Sequence, residues 1–231
     1  MPVRILAHRG NTAGPSPQTE NSLASIDAAL ARGWGLEIDI RCTDTGAYYI
    51  SHDRVAVPQP LWADAVAAMV RRRPGALVAL NVKEEGGEAA LVRFLETTGI
   101  LAQCFLFDME LVEPVPGRMA QRFRALSPSA GIAARVSDRG ETVSRALAID
   151  AADVIWLDEF DGPWATASDV QRLRRSGRQV YAVSPDLHGR SLAASIARWH
   201  QFVAWGVHGI CTDYPAELER VLAAVPEEML S

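Results

Sequence analysis

Short runs rich in β-branched and apolar residues alternate with amphipathic or alanine-rich stretches from one end of the chain to the other. The short runs predict buried strands, and apolar positions three and four residues apart predict helices. The predicted strands are Val3–Ala7, Leu36–Ile40, Leu77–Val82, Phe105–Phe107, Ile132–Val136, Val154–Leu157, Val180–Val183 and Gly209–Thr212. The predicted helices are Ser22–Arg32, Pro60–Arg72, Glu88–Thr97, a helix within Glu110–Ser127 that begins near Gly117, Thr142–Ile149, Ser168–Ser176, Leu192–Trp205 and Ala216–Ala224.

This alternation predicts an α/β fold, because a helix is the usual connection between two parallel neighbouring strands. Eight strand–helix units are also the number that closes a (β/α)8 TIM barrel, and the length of 231 residues suits one such domain, residues 1–231. The alternative is an open, doubly wound sheet. Tyr48–His52 is expected to form an extra extended arm in the loop after the second strand.

Polar residues gather where the predicted strands end. In a barrel of this kind, these ends and the loops that follow them carry the chemistry. The residues at these positions are His8, Arg9, Glu37, Asp39, Asn81, Lys83, Asp108, Arg135, Asp158, Glu159, Ser184, Asp186 and Asp213. Their density at one rim predicts a functional site.

Glu37 and Asp39 are two residues apart on a strand, so both carboxylates point to the same side. Two like charges at the mouth of a barrel repel each other and are poorly solvated. A hard cation with oxygen ligands, Mg²⁺ or Ca²⁺, would resolve that conflict. The alternative is a pair of solvated acids at a strand end.

His8 ends the first strand, and His52 follows the predicted arm. Two histidines beside a carboxylate pair can divide the roles of general acid and general base, and Asp53 or a nearby carbonyl can orient the ring of His52. Arg9 and Lys83 would contact the non-bridging oxygens of a phosphoryl group. Of the other histidines, His188 is a candidate for substrate contact, whereas structural roles are expected for His200 and His208.

Charge and cysteine content narrow the function further. The net charge of −5 and the isoelectric point near 5.6 argue against a nucleic-acid partner or an anionic membrane surface. The three cysteines, Cys42, Cys104 and Cys211, have no CxxC spacing, and no apolar stretch near the N-terminus has the length of a signal peptide or membrane span. We therefore expect a cytoplasmic protein with a small-molecule substrate. The sequence does not determine its oligomeric state.

Five short motifs follow one another in order: Ala7-His8-Arg9-Gly10, Glu20-Asn21-Ser22, Glu37-Ile38-Asp39, Thr43-Asp44 and Ser51-His52-Asp53. This set resembles the N-terminal signature of the glycerophosphodiester phosphodiesterase family, and residues 206–215 are similar to that family's last strand. The resemblance spans nearly the whole chain.

The resemblance implies a phospholipase-C-like (β/α)8 barrel, one divalent cation, Mg²⁺ or Ca²⁺, and hydrolysis of phosphodiesters that bear a glycerol-like alcohol. By position it implies catalytic roles for His8 and His52, metal ligation by Glu37 and Asp39, and phosphate contacts from Arg9 and Lys83. In the family's usual mechanism, a neighbouring hydroxyl attacks phosphorus to give a cyclic phosphate, which water then opens.

Two departures from the family pattern change the expectations. Asn81 stands where the family usually has glutamate, so the metal either binds more weakly through an amide oxygen or is supplemented by another acid. The candidates for that acid are Asp158, Glu159, Glu84 and Glu85. The segment between His52 and Lys83 also lacks the family's usual insertion, which leaves the head group of the substrate undetermined.

Several further residues are candidates for the substrate pocket. Trp62, Trp156, Trp164 and Tyr214 would supply either stacking surface or core packing, Arg135 would reach an anionic group, and the loop from Ser184 to His188 would bind polyol hydroxyls. Two alternatives to a hydrolase remain: a barrel that binds a phosphate ligand but has lost turnover, and a lyase that stops at the cyclic phosphate.

Overall fold

The computed structural model describes residues 2–55 and 61–225. The strands are β1 (Arg4–His8), β2 (Gly35–Cys42), β3 (Tyr48–Ile50), β4 (Leu61–Trp62), β5 (Val78–Val82), β6 (Cys104–Phe107), β7 (Gly131–Val136), β8 (Val154–Leu157), β9 (Gln179–Val183) and β10 (Gly209–Thr212). The helices are α1 (Leu23–Ala31), α2 (Ala63–Arg71), α3 (Glu88–Thr98), α4 (Arg118–Leu126), α5 (Val143–Leu147), α6 (Ala167–Arg175), α7 (Leu192–Trp205) and α8 (Pro215–Ala224). Short 3-10 turns span Leu101–Gln103, Met109–Leu111 and Pro185–His188.

The parallel strands form a closed barrel. Strand β1 pairs with β10 on one side and with β2 on the other, and β5 to β10 complete the ring in chain order. Leu6 marks the closure, because it is in register with Cys211 of β10 and with Gly35 of β2. The predicted (β/α)8 barrel is therefore confirmed, and the open doubly wound sheet is wrong.

Alternation along the strands divides the apolar residues into two cores. Side chains that point inward fill the barrel with an aromatic cluster, in which the rings of Phe107 and Trp156 lie 4.2 Å apart and those of Phe105 and Tyr181 lie 5.2 Å apart. The larger core lies between the outer face of the strands and the helices. Because the aromatic cluster fills the interior, the inward-facing polar residues are confined to the strand ends.

Strands β3 and β4 extend the sheet beyond the barrel. Tyr48–Ile50 pairs antiparallel with the end of β2, so the predicted arm is confirmed for these residues, while β4 was not predicted. Pro60, where the sequence places the start of the second helix, lies outside the described residues, and the helix itself begins at Ala63. The backbone amide of Ser51 donates to the carbonyl of Asp39, which ties the arm to the rim.

The helix termini follow local chemistry. Ser22 caps α1 by accepting from the backbone amide of Ser25, and Thr166 and Asp169 form a capping box at the start of α6. Helix α4 starts right after Gly117, which adopts a left-handed conformation, so its predicted start is confirmed. Within residues 2–55 and 61–225, no helix combines the length and the apolar character needed to cross a bilayer.

Candidate active site

The ends of β1, β2 and β5 bring the first group of polar residues together. His8 is in register with Glu37 across the β1–β2 pair, and Asp39 is in register with Asn81 across the β2–β5 pair. Glu37 and Asp39 are only 3% and 2% exposed, although both are charged residue types. Leu36, Ile38 and Ile40 of the same strand pack in the outer core, so by alternation Glu37 and Asp39 point into the barrel.

His8 is held between two carboxylates. Its Nδ1 atom lies 2.7 Å from Oδ1 of Asp213, and its Nε2 atom lies 3.7 Å from Oε2 of Glu37. Burial by itself lowers the pKa of His8, but the hydrogen bond to Asp213 and the charges of Glu37 and Asp213 outweigh it and raise the pKa above its ordinary value. Asn11 donates to the same Oδ1 atom of Asp213 at 2.7 Å, which fixes that carboxylate in place.

The negative charges of Glu37 and Asp39 are only partly balanced by neighbouring cations and hydrogen bonds. Burial, followed by the negative charge of Asp39, raises the pKa of Glu37 to about 7. One oxygen of each acid, Oε2 of Glu37 and Oδ2 of Asp39, is buried without a hydrogen-bond partner among the described residues. The nearest cations are Lys83, whose Nζ lies 2.9 Å from Oδ1 of Asp39, and Arg9, whose Nε lies 3.6 Å from Oδ2.

Lys83 directly follows β5, and Arg9 directly follows β1. Lys83 is the only lysine in a chain of 231 residues that has 23 lysines and arginines in total. Arg9 adopts a left-handed backbone conformation with φ of 51°, and its Nη1 atom donates to Glu20 at 3.0 Å. This strained conformation turns the chain sharply after β1, so Arg9 and His8 both reach the rim from adjacent positions.

Among the described residues, the Asn81 amide is hydrogen-bonded through its nitrogen and not through its oxygen. Its Nδ2 atom donates to Oδ2 of Asp108 at 3.0 Å, and no described hydrogen bond involves its Oδ1 atom. Asp108 also pairs with Arg135, which in turn donates to Asp158 at 2.6 Å. Burial raises the pKa of Asp108 above its ordinary value, against the opposing charge of Arg135.

The donor set fits a hard divalent cation. Two unpartnered carboxylate oxygens beside an amide oxygen are oxygen ligands of the kind that Mg²⁺ and Ca²⁺ prefer. Only two of these three residues are acidic, and across residues 2–55 and 61–225 no group of three or more His, Cys, Asp and Glu side chains has the arrangement of a metal site. Asn81, in register with Asp39, is therefore the candidate for a third protein ligand.

His52 lies at the same rim, directly after the arm. Its Nδ1 atom is 2.9 Å from Oδ1 of Asp53, the partner that the sequence suggested, and its side chain is 48% exposed. The carbonyl of His52 accepts two hydrogen bonds from Arg41, at 3.0 and 2.6 Å, and Arg41 is paired with Glu84. The backbone is thus fixed, while the ring makes no described hydrogen bond to His8 or to the acidic pair.

The four acids considered as supplementary metal ligands are all engaged elsewhere. Asp158 pairs with Arg135 and His188, and Glu159 accepts from Arg198 and from the backbone amides of Trp164 and Ala165. Glu84 pairs with Arg41, and Glu85 pairs with Arg118 and Arg122. An ion pair does not by itself exclude metal ligation, since Asp39 is also paired, with Lys83. The suggestion that one of the four acids completes the metal shell therefore stays a prediction, and Glu159 fits it least because it contacts Arg198 of α7.

Several proposed pocket residues have structural roles instead. Trp156 lies in the barrel core and not at the mouth, and Ser184 is buried, where it accepts from Trp199 at 2.7 Å. Arg135 is only 2% exposed between two carboxylates, so it is not free to bind an added anion. Trp164 donates through Nε1 to the carbonyl of Asp158.

The other candidates are placed as follows. Trp62 is 45% exposed on β4, and Tyr214 packs partly buried against the outer core. His188 points its Nε2 atom at Asp158 and stacks near Phe160, with ring centroids 4.7 Å apart. His208 accepts from the amide of Val180, as expected of a structural histidine, and His200 is exposed on α7.

The sequence places Asp213 at the rim without indicating its role, and it gives no indication of Asn11. Both belong to the site because they fix His8, yet they lie 205 and 3 residues away from it along the chain. The signal was present for Asp213, since it ends the eighth barrel strand, which lies next to the first in any closed barrel. For Asn11 the sequence offered no comparable signal.

We compared the chain with known proteins by sequence and by structure. No protein-family model matches the sequence, and no curated protein matches it in a sequence search. Solved structures do match. A glycerophosphodiester phosphodiesterase from Agrobacterium tumefaciens has a TM-score of 0.67 and 19% identity, and the match covers 96% of this chain and 100% of that one. A glycerophosphoryl diester phosphodiesterase from Parabacteroides distasonis has a TM-score of 0.72 and 17% identity, with 97% of this chain and 88% of that one covered.

A third match is a phosphodiesterase from Oleispira antarctica, solved with its product sn-glycerol-3-phosphate. It has a TM-score of 0.67 and 17% identity, with 96% of this chain and 98% of that one covered. The chain therefore shares the (β/α)8-barrel fold of these phosphodiesterases. The resemblance in the short motifs agrees with this shared fold.

Proposed function

We propose that this protein is a metal-dependent phosphoric diester hydrolase that cleaves a small phosphodiester bearing a glycerol-like alcohol. The observation that carries the proposal is the position of His8 between Asp213 and the buried pair of Glu37 and Asp39. An imidazole, two unpartnered carboxylate oxygens and two cationic side chains meet at one rim of the barrel. That combination suits reactions in which charge develops on phosphorus oxygens and on a leaving alkoxide.

The cation is proposed to be held by Glu37, Asp39 and the amide oxygen of Asn81. When bound, Mg²⁺ or Ca²⁺ would polarise the phosphoryl group and lower the pKa of the attacking hydroxyl. Support for this assignment comes from the buried, unpartnered oxygens of Glu37 and Asp39, because such atoms are costly in a folded protein without a ligand.

The remaining steps fall to the chain's own side chains. One of His8 and His52 is proposed to remove the proton from the attacking hydroxyl, and the other to protonate the leaving oxygen. Asp213 would hold His8 in one tautomer and orientation through the 2.7 Å contact at Nδ1, so that Nε2 faces the reacting group. Arg9 and Lys83 would bind the non-bridging oxygens and offset their charge.

A substrate screen tests the proposal. Small glycerophosphodiesters would be incubated with the protein in Mg²⁺, in Ca²⁺ and in EDTA, and phosphorus NMR would identify the product. We expect cleavage that EDTA abolishes, with a phosphate monoester as the final product. A cyclic phosphate that persists would indicate the lyase, and binding of these ligands without any cleavage would indicate a barrel that has lost turnover.

Substitutions test the assignment of the two histidines. His8→Ala and His52→Ala should each lower kcat by roughly 10²–10⁴-fold, the usual range for acid–base groups. His200→Ala is the matched control, because His200 is an exposed residue on α7. Near-native turnover of both His8→Ala and His52→Ala would contradict the acid–base assignment even if cleavage itself is observed.

A further inference from the structure

An asparagine differs from a carboxylate as a metal ligand in one respect that matters here. Its side chain has one end that only donates hydrogen bonds and one end that only accepts them. Asn81 can therefore serve a cation only if its Oδ1 atom, and not its NH₂ group, faces Glu37 and Asp39. Nothing in the local backbone of β5 selects between these two orientations, since both have the same shape.

Asp108 supplies the selection. This residue follows β6 directly, is 7% exposed, and adopts a left-handed conformation with φ of 64°, which is uncommon for a residue with a side chain. Its Oδ2 atom accepts from Nδ2 of Asn81 at 3.0 Å. A carboxylate accepts hydrogen bonds and does not donate them, so the end of the amide next to Asp108 has to be the NH₂ group.

The position of Asp108 also decides where the other end of the amide lies. Strand β5 has β6 on one side, where Asp108 follows, and β2 on the other side, where Asp39 is in register with Asn81. With its NH₂ group committed to the β6 side, Asn81 is left with its oxygen for the β2 side. That is the side on which Oδ2 of Asp39 and Oε2 of Glu37 have no partner among the described residues.

Arg135 keeps Asp108 from turning away. Its Nη1 atom pairs with Oδ1 of Asp108, and its Nη2 atom donates to Oδ2 of Asp158 at 2.6 Å. Arg135 is 2% exposed, so the guanidinium has no water to exchange for these partners. Both oxygens of Asp108 are therefore committed, one to Arg135 and one to Asn81.

We propose that Asp108 is a positioning residue that, clamped by Arg135, turns the amide oxygen of Asn81 toward the cation site. The proposal rests on the proposed function, because it assigns Asn81 as a ligand of that site. It also gives the exchange of glutamate for asparagine a physical reason. A carboxylate at position 81 would lie about 3 Å from Asp108 and repel it, whereas the amide donates to it.

The test is a double-mutant cycle between positions 108 and 81, read by calorimetric titration with MgCl₂, MnCl₂ and CaCl₂ in the absence of substrate. Asp108→Asn keeps the shape of the side chain, and its carbonyl oxygen would stay on Arg135. Its NH₂ group would then face Asn81 and force that amide to reverse. We expect cation affinity to fall by roughly 10–100-fold, the usual effect of losing a group that orients a metal ligand.

Asn81→Asp should restore cation affinity that Asp108→Asn removes. The carboxylate that it introduces can accept from the NH₂ group of the Asp108→Asn variant and still present an oxygen to the cation. The substitution should therefore raise affinity at least about tenfold more in the Asp108→Asn background than in the native one. Asp158→Asn is the matched control, since it removes the same charge from the other side of Arg135 without touching Asn81. Its effect on cation affinity should be small, and thermal unfolding of each variant would report whether the fold is retained.

The results distinguish an absent cation site from a cation site that does not depend on Asp108. Wild-type protein that binds no divalent cation would contradict the cation site in the proposed function, and the role of Asp108 with it. Cation binding that is unchanged in Asp108→Asn, or equally weakened in Asp158→Asn, would overturn the role of Asp108 alone. Equal effects of Asn81→Asp in the two backgrounds would overturn it as well.

Discussion

The Nδ1 atom of His8 lies 2.7 Å from Oδ1 of Asp213, although the two residues are 205 positions apart in the chain. The contact exists because β1 and β10 are neighbours in the closed barrel, so that the ends of both strands open onto the same rim. It gives His8 a fixed orientation and a raised pKa at the place where the proposed reaction needs a proton donor or acceptor.

Asp213→Asn tests whether Asp213 orients His8 without contributing to substrate binding. We expect kcat to fall by about 10²-fold with a small change in KM, because the neutral amide no longer favours the productive tautomer. The pKa of His8, followed by NMR, should fall, since burial lowers it and the charge of Asp213 no longer opposes that effect. Asp150→Asn, at an exposed position, is the control. An unchanged pKa of His8 would contradict the role of Asp213.

Lys83 is the only lysine in the chain, and its ammonium group lies 2.9 Å from Asp39. Lys83→Arg keeps the charge but replaces a compact ammonium with a wider planar group. We expect kcat/KM for a phosphodiester to fall by roughly 10²-fold, the size expected when reacting groups are displaced by about 1 Å. The reverse exchange Arg93→Lys, on the exposed face of α3, should leave kcat/KM unchanged. Full activity of Lys83→Arg would show that only the charge matters.

Glu110 should make stability depend on pH. Burial raises its pKa to about 7 from 4.5, its Oε1 atom accepts from the amide of Arg135 at 2.8 Å, and its Oε2 atom is buried without a described partner. Because the folded pKa is above the unfolded one, the protonated carboxyl stabilises the fold fully below pH 4.5. This contribution is lost as the pH rises through about 7.

Glu110→Gln removes that dependence while keeping the acceptor for Arg135. As the pH rises from 4.5 to 8, we expect the variant to gain about 1–2 kcal/mol of unfolding free energy relative to the wild type, a value reduced because Glu110 is only half-buried. Urea denaturation at several pH values measures the difference. Glu96→Gln, an exposed substitution on α3, serves as the control. A gain that is the same at all pH values would contradict the assignment to Glu110.

Gly209 makes room for the aromatic core at the start of β10. A Cβ atom there would lie 2.5 Å from Cδ1 and Cε1 of Tyr181 and 3.0 Å from the carbonyl of Arg4. Gly209→Ala should therefore destabilise the fold by about 1–3 kcal/mol, the usual penalty for overpacking. The penalty should shrink when Tyr181 is replaced by leucine, because the clash is then relieved.

The matched control for Gly209 is Gly75→Ala. Gly75 has open space around the position of a Cβ atom and no left-handed backbone conformation. Its substitution should change the unfolding free energy by less than about 0.5 kcal/mol. A loss at Gly75 as large as that at Gly209 would show that loss of glycine, and not the contact with Tyr181, is responsible.

The amino-acid pattern alone predicts the eight barrel strands, most helix boundaries to within two residues, and the common direction of Glu37 and Asp39. These features depend on periods of two and 3.6 residues, which any short stretch of chain contains. It also placed His8, Arg9 and Lys83 at strand ends, where the barrel rule makes them neighbours. The pairing of His52 with Asp53 followed from their adjacency in the chain.

The pairing of charged groups, in contrast, depends on the folded chain and not on the local pattern. Asp213 binds His8, Asp108 binds Asn81 and Arg135, and Glu159 turns to Arg198, so that residues with similar positions in the sequence have unlike partners. Local periodicity places a side chain on one face of a strand but does not choose its contacts on neighbouring strands. The contacts depend on closure of the barrel and on which carboxylates lie within reach of a buried arginine. A buried charge has to be paired within the few ångströms around it.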